Sequence, residues 1–468
     1  MGPASLDDGV VVIHAVAAKS AHLNPYARVA GDGTGTGTRT PTAACYPARV
    51  KRSRAAAVLL GLAAVLLCGA STLLPARIRE VSRLVEDVRG RRFEGPVPAS
   101  EIDGVALRKF LQVKLAESFP ASPEETLRSL SVLGLIEKTP DLVDRLLDFY
   151  ASQVIAFYDP EPRRFFVVRG GTKEALEGLQ GGDLSERLLF SHELTHALQD
   201  QSLRLDRRFK SLKDDGDRAL ALQCLLEGEA TLVMVRVALK DLPGAETAAE
   251  EALAPLLSAG ALEQANAPKN LPPFFVEQLF FPYVEGTAYV RRAVIRGGWK
   301  EVDRLWTDPP LSTSDILHPD RRIVPAGDLL PPDPATLAPP RARFLYSDTV
   351  GEWAIRFLLK RSIPEEEASA AASGWRGDRL AFYLSGREDY SYLWRIRFDS
   401  PATAEVFAAA LDRARRGRAG APQIRRAGSD VVVSLGFAEL PNLPGLAKEV
   451  PAPKSGAGPG RLSRPQPS

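Results

Sequence analysis

The chain has 468 residues, of which 45% are hydrophobic and 25% charged, an ordinary composition for a globular protein of two or three domains. Its 60 basic and 58 acidic residues leave a formal net charge of +2, which argues against nucleic acid as a partner. Three cysteines, Cys45, Cys68 and Cys224, match neither a disulfide framework nor a zinc-ribbon spacing. Any metal must therefore be held by histidine and carboxylate groups.

The N-terminal region carries an export signal. Residues 55–74 are uncharged and mostly apolar, and they directly follow the basic residues 51–54. That order predicts a signal peptide or membrane anchor over residues 50–76, and hence an exported protein that is periplasmic, secreted or anchored through residues 55–74. Residues 1–49 indicate a disordered or non-native extension. We hypothesise that translation begins at Val50, which a peptide from within residues 1–49 of the native precursor would exclude.

Hydrophobic periodicity predicts helices and strands in turn along the rest of the chain. Lead-in helices are predicted between Glu80 and Glu117, and Ser122-Pro123-Glu124-Glu125 is typical of a helix start. The segments 153–159 and 163–169 predict a β-hairpin around two prolines. Further helices are predicted at 142–152, 184 to about 201, 217 to about 239, 284–296, 349–361 and 402–415, and further strands at 380–384, 392–398 and 430–435.

These elements predict an α+β fold in two parts. The main domain is expected over residues 77–341, with its helical lead-in and a proline-rich connection in its last third. A smaller C-terminal α+β module is expected over residues 342–440. Residues 441–468 are rich in proline, glycine and serine, which predicts a disordered tail.

The segment around His192, Glu193 and His196 carries the chemistry. Positions four apart lie on one face of a helix, so His192 and His196 can reach one metal ion. Glu193 is rotated off that pair, where its carboxylate can act as the general base for an attacking water. Apolar neighbours indicate a buried helix, and burying these groups without a partner costs several kcal/mol. The pattern therefore predicts a catalytic zinc site.

A catalytic zinc site needs a third protein ligand, and the predicted helix over 217–239 supplies two candidates. Glu227 and Glu229 are acids in an otherwise apolar segment, and buried carboxylates require partners. One of them can bind the ion while the other contacts a ligand histidine. Spacing alone does not choose between Glu227 and Glu229.

The motif His192-Glu193-Leu194-Thr195-His196, followed by Glu227-Gly228-Glu229-Ala230, resembles the gluzincin type of zincin metallopeptidase. The layout is also similar to bacterial peptidase-MA-like proteins. The resemblance covers about residues 153–240, and it implies a zincin-like domain in which Glu227 is the third zinc ligand. It further implies that one strand of the preceding hairpin holds an extended peptide substrate.

The sequence thus predicts a zinc-dependent metallopeptidase that hydrolyses peptide bonds in peptide or protein substrates outside the cytoplasm. Tyr283, Tyr289 and His318 are candidate donors to the oxyanion of the transition state, and Glu285 is a more distant alternative ligand. Two alternatives stay open. One is a non-catalytic, zinc-stabilised protein for peptide binding or envelope assembly on the same fold, which the presence of Glu193 disfavours. The other is a partner-binding function carried by the C-terminal module.

Overall fold

The computed structural model describes residues 74–169, 182–240, 271–415 and 420–443. They form the predicted mixture of helices and strands, an α+β fold. The predicted N-terminal extension, the apolar segment apart from Leu74, and the tail beyond residue 443 lie outside these ranges. Within them, no helix is both long enough and apolar enough to cross a membrane.

The chain divides into two compact units between Ile323 and Val324. In the first unit, the helices are α1 (74–89), α2 (Gly104–Ser118), α3 (Pro123–Leu133), α4 (Leu142–Gln153), α5 (Gly182–Leu203), α6 (Leu205–Lys210), α7 (Gly216–Ala238), α8 (Pro273–Gly297), α9 (Trp299–Thr307) and α10 (Thr313–Leu317). The strands of this unit are β1 (Ala99–Ile102), β2 (Ala156–Asp159) and β3 (Arg164–Val168).

The first unit contains a small sheet in the order β1-β3-β2. The antiparallel pairing of β2 with β3 confirms the predicted hairpin, while β1 adds a parallel strand that the sequence did not reveal. Side chains alternate across the sheet, as strand geometry requires. Phe165 meets Phe190 of α5 edge to face at 4.9 Å between ring centroids, whereas Phe166 lies 6.5 Å from Phe110 of α2. The sheet therefore lies between α2 and α5.

Helix α8 is much longer than the predicted segment 284–296. It begins at Pro273 and contains Pro282, a residue type that usually kinks or ends a helix. Phe274, Phe275, Leu279 and Phe280 are all buried along its first half. This apolar packing offsets the backbone hydrogen bond that Pro282 cannot donate, so tertiary contacts override the local signal.

Helices α7 and α8 cross at two glycines. A Cβ atom built on Gly228 would lie 2.2 Å from the carbonyl oxygen of Gly286, and one built on Gly286 would lie 2.2 Å from that of Cys224. Real atoms do not approach so closely, so the crossing requires glycine at both positions. The glycine after Glu227 therefore lets α7 and α8 pack backbone against backbone.

We expect Gly286→Ala to destabilise the protein by at least the ~1–3 kcal/mol that overpacking usually costs, because the obstructing atoms belong to the backbone of α7. Denaturant unfolding would measure this loss. Gly104→Ala is the matched control, since Gly104 begins α2 and has no atom within 4 Å of an added Cβ. The free energy of unfolding of Gly104→Ala should equal that of the unaltered protein or exceed it by up to about 1 kcal/mol. Equal stability of the two variants would contradict the close crossing.

The second unit is built on one antiparallel sheet. Its five strands run in the order β4-β5-β6-β8-β7, with bounds β4 (Ala342–Asp348), β5 (Trp375–Ser385), β6 (Asp389–Phe398), β7 (Gln423–Ala427) and β8 (Asp430–Leu435). Its α-helices are α11 (Gly351–Lys360), α12 (Glu365–Ala372) and α13 (Pro401–Arg415). The predicted strands at 380–384, 392–398 and 430–435 and the helices at 349–361 and 402–415 are confirmed, whereas β4, β7 and α12 were not predicted.

The second unit begins before residue 342, where the sequence placed its start. The N–H of Ala326 donates to the carbonyl oxygen of Arg376, and the hydroxyl of Tyr383 donates to the carbonyl oxygen of Pro334. Leu330 is buried against the same sheet. The proline-rich segment 324–341 therefore packs as part of the second unit, which its lack of regular structure concealed.

Candidate metal centre

Helix α5 brings His192 and His196 together as their spacing predicts. The two rings meet edge to face, with centroids 4.9 Å apart and an angle of 83° between planes. Their Nε2 atoms are 3.2 Å apart. His192 is buried, and the His196 side chain is only 13% exposed. Two imidazole nitrogens therefore point at one shared position beneath the surface.

Glu227 of α7 completes a triangle with the two histidines. Its Oε2 lies 3.1 Å from Nε2 of His192 and 3.3 Å from Nε2 of His196. Glu227 is itself buried at 3% exposure. The three atoms are thus almost equally spaced, and each has a lone pair to offer when the histidines are neutral.

This triangle fits a tetrahedral zinc ion. Ligand bonds of about 2.0–2.1 Å at tetrahedral angles hold neighbouring donor atoms about 3.3–3.4 Å apart. The observed separations of 3.1, 3.2 and 3.3 Å are close to that value. The chemistry of the donors also fits, because two imidazoles and one carboxylate form a known catalytic zinc set. His192, His196 and Glu227 would hold the ion.

Glu193 lies beside the triangle. One of its carboxylate oxygens and one nitrogen of each histidine all lie within 4.8 Å of one another, so Glu193 is near the metal position. Its Oε2 accepts a hydrogen bond of 2.8 Å from the backbone N–H of Tyr158, on the outer strand β2. Glu227 Oε2 lies 3.1 and 3.3 Å from the two histidine nitrogens, so both carboxylates are near the position that the imidazoles share.

Burial sets the protonation of these groups in the metal-free protein. It raises the pKa of Glu193 to about 8, in spite of the opposing charge of His196. Burial also lowers the pKa of His192, with a smaller opposing effect from Glu227. For His196 burial acts downward too, but the Glu227 carboxylate outweighs it and raises the pKa to about 9. Burial acts upward on the pKa of Glu227, and the histidines outweigh it and lower that pKa.

We therefore expect zinc to bind more tightly as the pH rises toward about 9, because the ion must displace a proton from His196. Below that pKa, the limiting slope is tenfold in affinity per pH unit, as for any one-proton competition. The stability of the metal-free protein should change with pH in the opposite direction. The contribution of charged His196 to folding is fully present below the pKa of about 6.5 that histidine has in the unfolded chain. This contribution is lost as the pH rises through about 9. Chelator competition across this range would test the expectation, and a constant affinity would contradict it.

Glu229 is held by groups other than the histidines. Its Oε1 accepts from Nε of Arg89 at 2.5 Å, and its Oε2 accepts from Nε1 of Trp306 at 2.7 Å and from Nε2 of Gln199 at 2.9 Å. The predicted contact between Glu229 and an imidazole thus takes an indirect form, since Gln199 lies between Glu229 and His196. With both oxygens engaged, Glu229 is poorly placed as an alternative ligand.

Gln199, Arg89 and Trp306 were not identified from the sequence. A signal existed for Gln199, because it lies three residues after His196 and hence on the same face of α5. No local signal pointed to Arg89 or Trp306, which are 140 and 77 residues from Glu229 along the chain.

The three predicted transition-state donors lie in different surroundings. The ring of Tyr283, on α8, stacks beside His192, with centroids 6.0 Å apart and an interplanar angle of 21°. Tyr289 lies six residues after Tyr283 on the same helix, and its pKa is raised to about 12 by burial and by Asp315. His318 directly follows α10, and its backbone N–H donates to the carbonyl oxygen of Ser314. Tyr283 is therefore the candidate that the structure brings to the histidines.

Glu285, the distant alternative ligand, lies on α8 one residue before the crossing at Gly286. It is close enough to Cys224 of α7 to raise the pKa of that buried thiol, together with the larger effect of burial. Glu285 thus lies near Cys224 of α7.

Comparison with known proteins bears on the second unit. Residues 342–439 match a family described as a domain of unknown function (DUF8575), which corresponds closely to the sheet and helices from β4 to β8. No curated protein and no solved structure matches the chain.

Proposed function

We propose that the protein is an exported zinc metallopeptidase with a zincin-like catalytic domain of the gluzincin type in its first unit. The observation that carries the proposal is the triangle of His192 Nε2, His196 Nε2 and Glu227 Oε2, with separations of 3.1–3.3 Å, next to the carboxylate of Glu193. A purely structural zinc ion usually has four protein ligands and needs no neighbouring base. Three ligands with a spare carboxylate favour catalysis.

The residues have distinct roles in this proposal. A bound zinc ion supplies Lewis acidity, polarising a peptide carbonyl and making a water molecule acidic near neutral pH. His192, His196 and Glu227 hold the ion. Glu193 takes a proton from the attacking water at its carboxylate and later delivers it to the leaving amine.

The surroundings of Glu193 support a peptide substrate. The outer strand β2 adjoins the site through the hydrogen bond from Tyr158 to Glu193. An extended peptide that paired with β2 would bring the backbone of the peptide close to the general base. Pairing of a peptide with the edge of a sheet, called strand addition, is a known mode of peptide recognition. Tyr283, stacked by His192, is the proposed donor to the developing oxyanion.

Digestion of a peptide library by the purified protein tests this function. We expect cleavage by the zinc-loaded protein, loss of cleavage after chelation and recovery on adding zinc. Zinc binding without cleavage of any peptide would instead favour a zinc-stabilised binding protein. Cleavage that survives complete removal of metal would contradict the proposed chemistry.

A further inference from the structure

The two ring nitrogens of His196 have different partners. Nε2 faces Nε2 of His192 and Oε2 of Glu227, at the candidate metal position. Nδ1 lies 2.9 Å from Oε1 of Gln199. A neutral imidazole carries one proton, so whichever nitrogen holds it decides whether the other can bind a metal.

The orientation of the Gln199 amide follows from its other contacts. Its Nε2 donates to the carbonyl oxygen of Leu226 at 3.0 Å and to Oε2 of Glu229 at 2.9 Å. Both of these oxygens act as acceptors here, since one is a backbone carbonyl and the other also accepts from Nε1 of Trp306. A flipped amide would place its own oxygen against two acceptors, so Oε1 must face His196. In the neutral imidazole that a metal requires, Nδ1 of His196 therefore carries the proton and Nε2 keeps its lone pair.

Glu229 is fixed in turn by groups from other helices. Arg89, at the end of α1, donates to its Oε1, and Trp306 of α9 donates to its Oε2. Arg89 also donates to Oδ1 of Asp303 at 2.6 Å. Gln199 and Glu229 are fully buried, and Arg89 is 1% exposed. In such surroundings a lost hydrogen bond leaves an uncompensated polar group, so the arrangement resists rearrangement.

We propose that Gln199 is a positioning residue that sets the tautomer and ring orientation of His196, and that Glu229 and Arg89 fix Gln199 for this role. The lead-in helix α1 thereby contributes to the metal site through Arg89 without approaching the ion. This inference rests on the proposed zinc site and extends it to residues that touch no ligand position. Outer contacts of this kind typically change metal affinity by about 10–100-fold.

The test compares two glutamines of one helix. Gln199→Leu removes the acceptor opposite Nδ1 of His196, and we expect zinc affinity to fall about 10–100-fold. Gln201→Leu is the matched control: Gln201 also makes three hydrogen bonds, to the backbone of Glu94 and Gly95, and contacts neither histidine. It should bind zinc like the unaltered protein. Affinity is measured by chelator competition, so the result does not depend on hydrolysis.

A spectroscopic measurement separates positioning from general loss of structure. In zinc-loaded protein labelled with ¹⁵N-histidine, the Nδ1–H proton of His196 should be protected from exchange in the unaltered and Gln201→Leu proteins. It should exchange rapidly in Gln199→Leu.

The outcomes are distinguishable from failure of the proposed function. If the unaltered protein binds no zinc, the metal site itself is refuted. If it binds zinc and Gln199→Leu binds equally tightly, with the Nδ1–H proton still protected, only the positioning role is overturned. Equal losses in Gln199→Leu and Gln201→Leu would also overturn it, because the effect would then reflect the stability of α5.

Discussion

Replacing Glu193 with glutamine should lower kcat for peptide hydrolysis by about 10²–10⁴-fold, the usual contribution of a general base, while the zinc content stays at one ion per chain. An amide has nearly the size of the carboxylate and can still accept the hydrogen bond that Tyr158 donates to Oε2. It cannot take a proton from water. The loss should therefore appear in the rate and not in metal binding.

A second glutamate of the same helix provides the control for Glu193. Glu186 lies on α5 with its side chain 31% exposed, and its Oε1 accepts from Nε of Arg77 at 2.9 Å. Glu186→Gln makes the same chemical change away from the histidines and should cleave at close to the normal rate. Hydrolysis by Glu193→Gln at the rate of the Glu186→Gln protein would remove Glu193 from the mechanism.

Glutamine substitutions at Glu227 and Glu229 should have different main effects, although the two residues are only two positions apart on α7. Glu227→Gln removes the anionic ligand whose Oε2 lies within 3.3 Å of both histidine nitrogens. Loss of an outer contact typically lowers metal affinity by up to about 100-fold. We expect the zinc affinity of Glu227→Gln to fall further than that. Chelator competition on both variants measures the difference.

Glu229→Gln should instead act mainly on folding. It removes one carboxylate partner from the Arg89 guanidinium, which is 1% exposed, and leaves the ion pair of Arg89 with Asp303. The loss in the free energy of unfolding should therefore reach at most the about 3–5 kcal/mol that breaking a buried ion pair typically costs. Its effect on zinc should stay within about 100-fold, since it reaches His196 only through Gln199. The reverse order of zinc affinities, with Glu229→Gln the weaker binder, would exchange the two roles.

The part of the site that the sequence could predict is the part that one helix determines. A spacing of four residues places His192 and His196 on one face of α5, and the structure brings their Nε2 atoms to 3.2 Å. The choice between Glu227 and Glu229 could not be read from spacing, because both lie in the same apolar stretch. In the structure, Glu229 is engaged by Arg89, Gln199 and Trp306, which belong to three other helices, while Glu227 contacts the histidines.

The fold shows the same division between local and distant information. Hydrophobic periodicity was sufficient to predict most helices. The start of α3 was also marked by its capping residue, because Oγ of Ser122 accepts from the N–H of Glu125. Strand β1 has only four residues and pairs in parallel with β3. Ser100 pairs with Phe166, which is more than sixty residues further along the chain, so no local pattern marked the strand. The first half of helix α8 and the start of the second unit lie in the proline-rich stretch that the sequence indicated as a connection, so neither was predicted.

Anomalous X-ray diffraction at the zinc absorption edge, on crystals of the zinc-loaded protein, tests the central claim most directly. The account predicts one peak per chain, about 2.0–2.1 Å from Nε2 of His192, Nε2 of His196 and Oε2 of Glu227. A peak elsewhere, or none in protein that has been exposed to zinc, would contradict the assignment of these residues as a metal site.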